Sequence, residues 1–265
     1  MAGVPSATLQ GWSISIPGGR LDHTYVTSSC GLRWGCWGRD SGGSSLSAGI
    51  GSSVVADCLS QPNSQAGILY GITGVCHQTS NRILHPGQIT VAGCQGYNLS
   101  TFLYGVYGLR NWPERAACYA AGANLAQTAS GRLGNRVTKP LSRINVYNSK
   151  ITTATSEEAR QLAELSAITE MALGRPLDRT TLDNLLAIQI ILRQTQSILA
   201  TRLQNGELSP DQYVDQLNST LALAMAESRL LLGDEHFQAI FGESERQSED
   251  LVNRDTFIKQ TIATR

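Results

Sequence analysis

Residues 70–84 read YGITGVCHQTSNRIL, and this stretch constrains the fold more than any other in the chain. Positions with helical spacing share one face: Ile72, Val75, Thr79, Ile83. Pro86 and Gly87 follow and favour the end of a helix there. We therefore predict a helix with Thr73 as its N-cap, which places Cys76 in the first turn.

A cysteine in the first turn of a helix has a physical route to nucleophilic chemistry. Unpaired backbone N–H groups and the helix dipole favour the thiolate form there. The alternative for Cys76 is a small buried side chain, which is the usual fate of a free cysteine. The polar residues that follow leave two readings as well: Gln78 and Asn81 either hold a substrate amide or satisfy local backbone groups.

The base that would activate Cys76 has to be sought among four histidines. His77 is adjacent, but neighbouring side chains on a helix point about 100° apart. His85 lies about 13 Å along the axis at 1.5 Å per residue, and His236 would need the C-terminal half to fold over the site. His23, on the predicted strand LDHTYV, is therefore the predicted general base.

A third group usually orients a catalytic imidazole, and the sequence offers three carboxylates for this role. Asp57, at the end of the predicted strand SSVVAD, is the preferred candidate, while Asp22 and Asp40 remain alternatives.

A histidine on a strand, a polar orienter on a following strand and a cysteine that opens a helix occur here in that order. This order resembles the circularly permuted NlpC/P60 branch of the papain-like cysteine hydrolases. The resemblance covers roughly residues 12–110 and rests on LDHTYV, VVAD and GITGVCHQTSNRIL. It implies an α+β papain-like core with a small antiparallel sheet, in which Cys76 is the nucleophile, His23 the base and Asp57 the possible orienter. The implied substrates are amide or ester carbonyls.

The two halves of the chain differ in residue composition and in hydrophobic periodicity. We predict an α+β domain over residues 1–150 and a helical domain over residues 151–265. In the first half, WSISI, HTYV, SVVA, GQITVAG and STFLYGVYG carry strand signals. The run GRDSGGSSLSAGIGSS is rich in small residues, which predicts a mobile loop. The second half has three Gly-poor stretches with helical periodicity, opened by Ser156 and Ser209 and closed by Gly174 and Asn205.

The second of these helices carries a broad apolar stripe: Leu182, Leu185, Leu186, Gln189, Ile190, Arg193, Ile198. Packing inside a bundle is the favoured interpretation of this stripe. Formation of a homo-oligomer through the helices in residues 156–232 is the alternative.

Trp34 and Trp37 flank the glycine-rich run, and tryptophans in such a setting often contact ligands. Core packing is the alternative, because large aromatic side chains are mostly buried. The six cysteines are expected to be free thiols. Their spacings do not include C-x2-C, so no metal site is expected, and we expect no cofactor.

The chain has 21 basic and 21 acidic side chains, so it offers no excess charge for nucleic acid or for an anionic membrane. Its start lacks a basic cluster followed by an apolar run, and no spanning segment is evident, which predicts a cytoplasmic protein.

These patterns lead to two hypotheses of different class. The first is a thiol-dependent amide or ester hydrolase, or an acyltransferase, that works through acyl-Cys76 on a small molecule or peptide. The alternative is a non-catalytic small-ligand-binding or scaffold protein that oligomerises through its helical half.

Overall fold

A computed structural model describes residues 6–16, 21–38, 40–109, 111–129, 156–242 and 251–263. The strands are β1 (Ser6–Ile14), β2 (His23–Ser28), β3 (Arg33–Trp34) and β4 (Ser44–Ser52). The helices are α1 (Ser53–Ser60), α2 (Cys76–Leu84), α3 (Tyr97–Tyr104), α4 (Glu114–Ala129), α5 (Glu157–Leu173), α6 (Arg179–Gln204), α7 (Pro210–Phe241) and α8 (Arg254–Ala263). The predicted α+β class with a small antiparallel sheet is therefore confirmed.

The four strands form one antiparallel sheet in the order β3-β2-β1-β4. Helix α2 lies against one face of this sheet, where Leu9 and Val26 share a buried cluster with Ile83 and Leu84. Because side chains alternate along a strand, every second residue of β2 faces α2 and the others face away. The hydroxyl of Thr24 marks the side that faces α2, since it lies 3.0 Å from the hydroxyl of Ser80.

The predicted mobile loop is wrong over residues 44–52, which form β4 along the edge of the sheet. A side chain on Gly49 would bring its Cβ within 2.3 Å of the Gly87 carbonyl oxygen, and one on Gly51 within 2.6 Å of the Gly87 nitrogen. The glycines are therefore required where the backbone of the turn after α2 presses on the strand. From the sequence alone, the same glycines predicted a mobile loop.

We expect the Gly51→Ala substitution to lower the free energy of unfolding by about 1–3 kcal/mol, because the added methyl group overlaps a rigid backbone segment. Urea denaturation followed by circular dichroism measures this loss. Ser44→Ala, at an exposed position of the same strand, is the matched control. Equal unfolding midpoints for the two variants would contradict the close approach.

Three of the predicted strands are wrong. SVVA lies inside α1, STFLYGVYG begins in α3 and contains no strand, and GQITVAG contains no strand in the structure. The hydroxyl of Ser52 accepts a hydrogen bond from the N–H of Val55 and so caps α1. Gly96 and Gly105, both with positive φ, bound α3. Capping and packing have here overridden the β-propensity of valine and the aromatic residues.

A disulfide between Cys58 and Cys118 joins α1 to α4. The prediction of six free thiols is therefore wrong for these two residues, because α1 and α4 bring together cysteines that are 60 residues apart in the chain. The remaining four cysteines are free: Cys30 is exposed, and Cys36, Cys76 and Cys94 are buried.

The helices of the second half begin and end close to the predicted residues. The Ser156 and Ser209 hydroxyls accept from the first turns of α5 and α7, and Gly174 ends α5 in the left-handed conformation. Most of the apolar stripe of α6 is buried in the protein, although Ile198 is 61% exposed. Within the described residues, no helix combines the length and the apolar character that crossing a bilayer requires.

One buried cluster spans both halves of the chain. Phe102 and Leu103 of α3 belong to the same cluster as Leu185 of α6 and Leu217 of α7. The C-terminal end of α3 is also bound by polar side chains of α6, which donate hydrogen bonds to its carbonyl groups. Helix α3 therefore connects the sheet region to the helical region, as does the turn before α2, whose Gly71 and Ile72 carbonyl groups accept from Tyr213 and Gln196.

Candidate active site

Helix α2 is buried along its whole length, although most of its side chains are polar. It lies between the sheet on one side and α1 and α3 on the others. Cys76 lies in the first turn of the helix as predicted, but the helix begins at Cys76 with Val75 as its N-cap, so the prediction of Thr73 as the N-cap is wrong. The Thr73 hydroxyl instead accepts a hydrogen bond from the N–H of Leu69 and closes the preceding turn.

The two amide side chains of α2 that were candidates for substrate binding are bonded to the protein backbone. Gln78 accepts from the N–H of Val75 and donates to the Gly105 carbonyl. Asn81 accepts from the N–H of Val91 and donates to the Val106 carbonyl. Both amides therefore hold loops around α2, and the structure does not turn them towards a ligand surface.

The sulfur of Cys76 lies at the edge of β2, 3.6 Å from the carbonyl oxygen of Asp22. This edge faces away from β1, because the Asp22 N–H donates to the Gln95 carbonyl rather than to a strand. Strand β3 pairs with β2 only at Val26 and Thr27. The beginning of β2 is therefore open to the first turn of α2.

Burial controls the protonation of Cys76, which is 7% exposed. Removal from water raises the pKa of its thiol. The N–H and hydroxyl of Thr24 act in the opposite direction and lower the pKa, as do the main-chain N–H groups of Cys76 and His77. Cys76 is thus a thiol that donates a hydrogen bond to the Asp22 carbonyl. The surrounding N–H and hydroxyl groups would donate hydrogen bonds to the thiolate when it forms.

His23 occupies the first position of β2, directly after Asp22. Since Thr24 faces α2, alternation places the imidazole of His23 on the other face of the sheet, together with the Tyr25 ring that stacks on Trp12. The imidazole is buried there, and a Cβ on Gly38 would lie 3.0 Å from its Nδ1 atom. The structure thus brings Cys76 and His23 to the same end of β2, with the thiol at the edge and the imidazole on the face.

Residues 35–38, which we call the strap, cover both groups. Cys36 lies with its sulfur 4.0 Å from the Thr24 carbonyl oxygen, and Gly38 packs on His23. Between them, Trp37 has a positive φ of 43°, which is uncommon for a bulky residue and is typical of functional sites. Its ring packs on that of Tyr70, with 4.9 Å between the centroids.

The other candidate tryptophan is a core residue. Trp34 is buried beside Leu9 and Val26 on the α2 side of the sheet, and its indole N–H donates to the Asp57 carboxylate over 3.0 Å. Asp57 lies on α1 and not at the end of a strand, so the structure does not bring it to the imidazole of His23, which is on the opposite face.

The two alternative orienters have other surroundings. The Asp22 carboxylate accepts from the hydroxyls of Ser13 and Ser15 and from the N–H of Gln95. Asp40 packs its side chain against Gly35 of the strap. The structure thus places Cys76 and His23 at one end of β2, and it places none of the three candidate carboxylates as an orienter of the imidazole.

Sequence reasoning missed the surroundings of His77, which is fully buried. Its Nε2 atom lies 3.0 Å from the Asp22 carbonyl oxygen, and its Nδ1 atom lies 2.7 Å from the Ser100 hydroxyl. Cys94 approaches the same Nε2 atom to 3.4 Å. The consecutive residues Cys76 and His77 thus meet at one acceptor, although they do not face each other. The only sequence signal was the run of six polar residues from His77 to Arg82 in a helix that was expected to pack on the sheet.

Among the residues that the structure describes, no group of three or more His, Cys, Asp or Glu side chains is placed to hold a metal ion. No family model, curated protein or solved structure matches the chain. The function is therefore inferred from the geometry around Cys76.

Proposed function

We propose that the chain is a thiol-dependent hydrolase or acyltransferase of amide or ester carbonyls, related to the circularly permuted NlpC/P60 branch of the papain-like enzymes. One observation carries the proposal. The sulfur of Cys76, at the first position of α2, lies among the N–H and hydroxyl donors of Thr24 and the helix N–H groups, at the strand end that carries His23.

The proposed reaction begins when the Cys76 thiol transfers its proton to His23. The thiolate attacks the carbonyl carbon, and the bond from that carbon to the leaving amine or alcohol breaks. His23 returns the proton to the leaving group, so the products are acyl-Cys76 and a neutral amine or alcohol. Water or an amine then attacks the thioester and regenerates the thiol.

A substrate can reach the site only when the strap shifts, because the strap packs over the beginning of β2 and over the His23 imidazole. The left-handed Trp37 supports such a movement, since a strained residue stores free energy that an alternative conformation releases. The aromatic pair of Trp37 and Tyr70 would then form a wall beside the acyl group.

The substrate and the compartment belong to the same proposal. A small molecule or a peptide with an amide or ester carbonyl suits the site, and the balanced charge of the chain argues against nucleic acid or a membrane surface as partners. The sequence predicts a cytoplasmic protein. The Cys58–Cys118 disulfide favours an oxidising compartment instead.

Acylation by p-nitrophenyl acetate, followed by release of nitrophenol and by peptide mass spectrometry, tests the proposal. The background has to carry Cys30→Ser, because Cys30 is exposed and the hydroxyl of Ser28 lowers the pKa of its thiol. We expect a burst of one acyl group per chain, located on Cys76. His23→Asn should slow this burst about 10²–10⁴-fold, as loss of a general base does.

Cys76→Ser in the same background is the decisive variant. We expect it to lose the burst and the acyl-peptide while its circular dichroism spectrum stays unchanged. An undiminished burst in that variant would end the proposal, and an undiminished burst in His23→Asn would leave Cys76 without its base.

A second candidate, a scaffold that oligomerises through its helical half, is favoured by a different observation. Ile191 and Ile198 of α6 and Leu223 and Leu230 of α7 are exposed, and each pair is spaced seven residues apart. Light scattering over a range of protein concentrations would detect such self-association. Alkylation of Cys76 no faster than that of the other buried thiols would then favour the scaffold over the enzyme.

A further inference from the structure

His77 has no part in the proposed reaction, yet its ring bridges three elements around the nucleophile. We propose that His77 is a positioning residue, which fixes the Asp22 carbonyl and thereby holds the beginning of β2 against Cys76. The inference rests on the proposed function of Cys76, although its test does not require turnover.

The contacts of His77 select one protonation state. Burial lowers the pKa of its imidazole to about 4, so the ring is neutral at physiological pH. The Asp22 carbonyl oxygen can only accept, and therefore Nε2 carries the hydrogen and donates to it. Nδ1 is then an acceptor that lies 2.7 Å from the hydroxyl of Ser100 on α3, and this hydroxyl shares its one hydrogen between Nδ1 and the Tyr97 carbonyl oxygen at 2.9 Å. The charged or polar groups near the ring include the Asp22 carboxylate, His23, the thiol of Cys94, and the Ser100 hydroxyl and Tyr97 ring of α3.

We call the hydrogen bond from His77 Nε2 to the Asp22 carbonyl the clamp. It affects Cys76 indirectly, because it fixes the beginning of β2. Asp22 and Thr24 are two residues apart and present their main-chain groups at the same edge of β2. When His77 fixes the Asp22 carbonyl, the N–H and the hydroxyl of Thr24 are held towards the sulfur of Cys76. His23 lies between these two residues, so the same hydrogen bond also fixes the main-chain position of the proposed base at the start of β2.

Because His77 directly follows Cys76, both side chains reach the same carbonyl oxygen. The first residue of α2 donates its thiol to the Asp22 carbonyl, and the second donates its imidazole N–H to the same oxygen. Any shift of β2 relative to α2 would break both bonds together. The adjacent histidine therefore acts on the nucleophile through the strand and does not exchange a proton with it.

Two substitutions at the same position separate the clamp from general packing. His77→Gln places an amide nitrogen near the former Nε2 and retains a donor for the Asp22 carbonyl. His77→Asn places its amide near the former Nδ1 and loses that donor. Both variants are made in the Cys30→Ser background, and the measurement is the pH dependence of Cys76 alkylation by iodoacetamide, followed by peptide mass spectrometry.

We expect His77→Gln to keep the wild-type pH profile. His77→Asn should raise the apparent pKa of Cys76 by about one unit, and so slow alkylation about tenfold at a fixed pH below that pKa. Thermal unfolding establishes that each variant is folded. If His77→Asn does not fold, Ser100→Ala takes its place, and we expect a smaller shift in the same direction because the tautomer is no longer fixed.

A wild-type profile in folded His77→Asn, or in Ser100→Ala where that variant replaces it, would overturn the inference. An equal shift in His77→Gln and His77→Asn would also overturn it, because bulk at this position would then matter and the donor would not. Failure of the proposed function gives a different result, namely the absence of an acyl group on Cys76 in the otherwise wild-type chain.

Discussion

Replacing Arg193 by methionine is expected to lower the free energy of unfolding by about 3–5 kcal/mol, which is the usual cost of breaking a buried ion pair on one side. The Arg193 side chain is only 9% exposed and lies 3.8 Å from the equally buried Glu164 carboxylate. Its guanidinium also donates to the carbonyl groups of Thr101, Phe102 and Leu103 at distances of 3.1–3.2 Å. Methionine retains much of the volume and loses every one of these bonds.

The loss should depend on pH in a defined direction. Burial raises the pKa of Glu164, and Arg193 counteracts this rise. Without Arg193 the folded-state pKa of Glu164 lies further above its unfolded value, so the folded protein binds the extra proton. The stability of Arg193→Met should therefore fall as the pH rises through that range, and the deficit should be smaller in mildly acidic buffer than at neutral pH.

Urea denaturation at both pH values, followed by circular dichroism, measures this effect. Arg160→Met is the matched control, because Arg160 forms an exposed ion pair with Glu157 on the neighbouring helix α5. Such pairs contribute about 0–1 kcal/mol. The double substitution Arg193→Met with Glu164→Gln should recover part of the loss. An unfolding midpoint of Arg193→Met equal to that of Arg160→Met would exclude the proposed role of the pair.

The helical half was predictable because its signals are local. Ser156, Gly174 and Ser209 stand at the ends of helices for reasons of capping that a few adjacent residues determine. The existence of α2 was predictable from the spacing of its apolar positions and its end from Pro86, whereas its N-cap was placed two residues too early. These elements owe their limits to their own sequence.

The elements that sequence reasoning missed depend on distant partners. The glycines of β4 reflect a turn some 35 residues away in the chain, and the disulfide that joins α1 to α4 pairs cysteines that are 60 residues apart. The contacts of His77 require Asp22 and Ser100, which come from two other parts of the chain. A pattern within one window does not contain these partners, so the geometry of the candidate site could be predicted only as far as the strand end and the helix start.

Removing the Cys58–Cys118 disulfide is expected to lower the free energy of unfolding by about 4 kcal/mol on the chain-entropy estimate for a loop of this size. The bond closes a loop of 60 residues that contains α2 and α3, and therefore Cys76, His77 and Ser100. Reduction with a phosphine at neutral pH, followed by urea denaturation, measures the loss.

The double variant Cys58→Ser with Cys118→Ser should have the same lowered stability, and the phosphine should not affect it further. If the phosphine destabilised this variant as much as the unmodified chain, the effect would come from other cysteines. Because the loop carries the nucleophile, the clamp and the helix that binds Arg193, acylation of Cys76 should also decline in urea at a lower concentration once the bond is reduced.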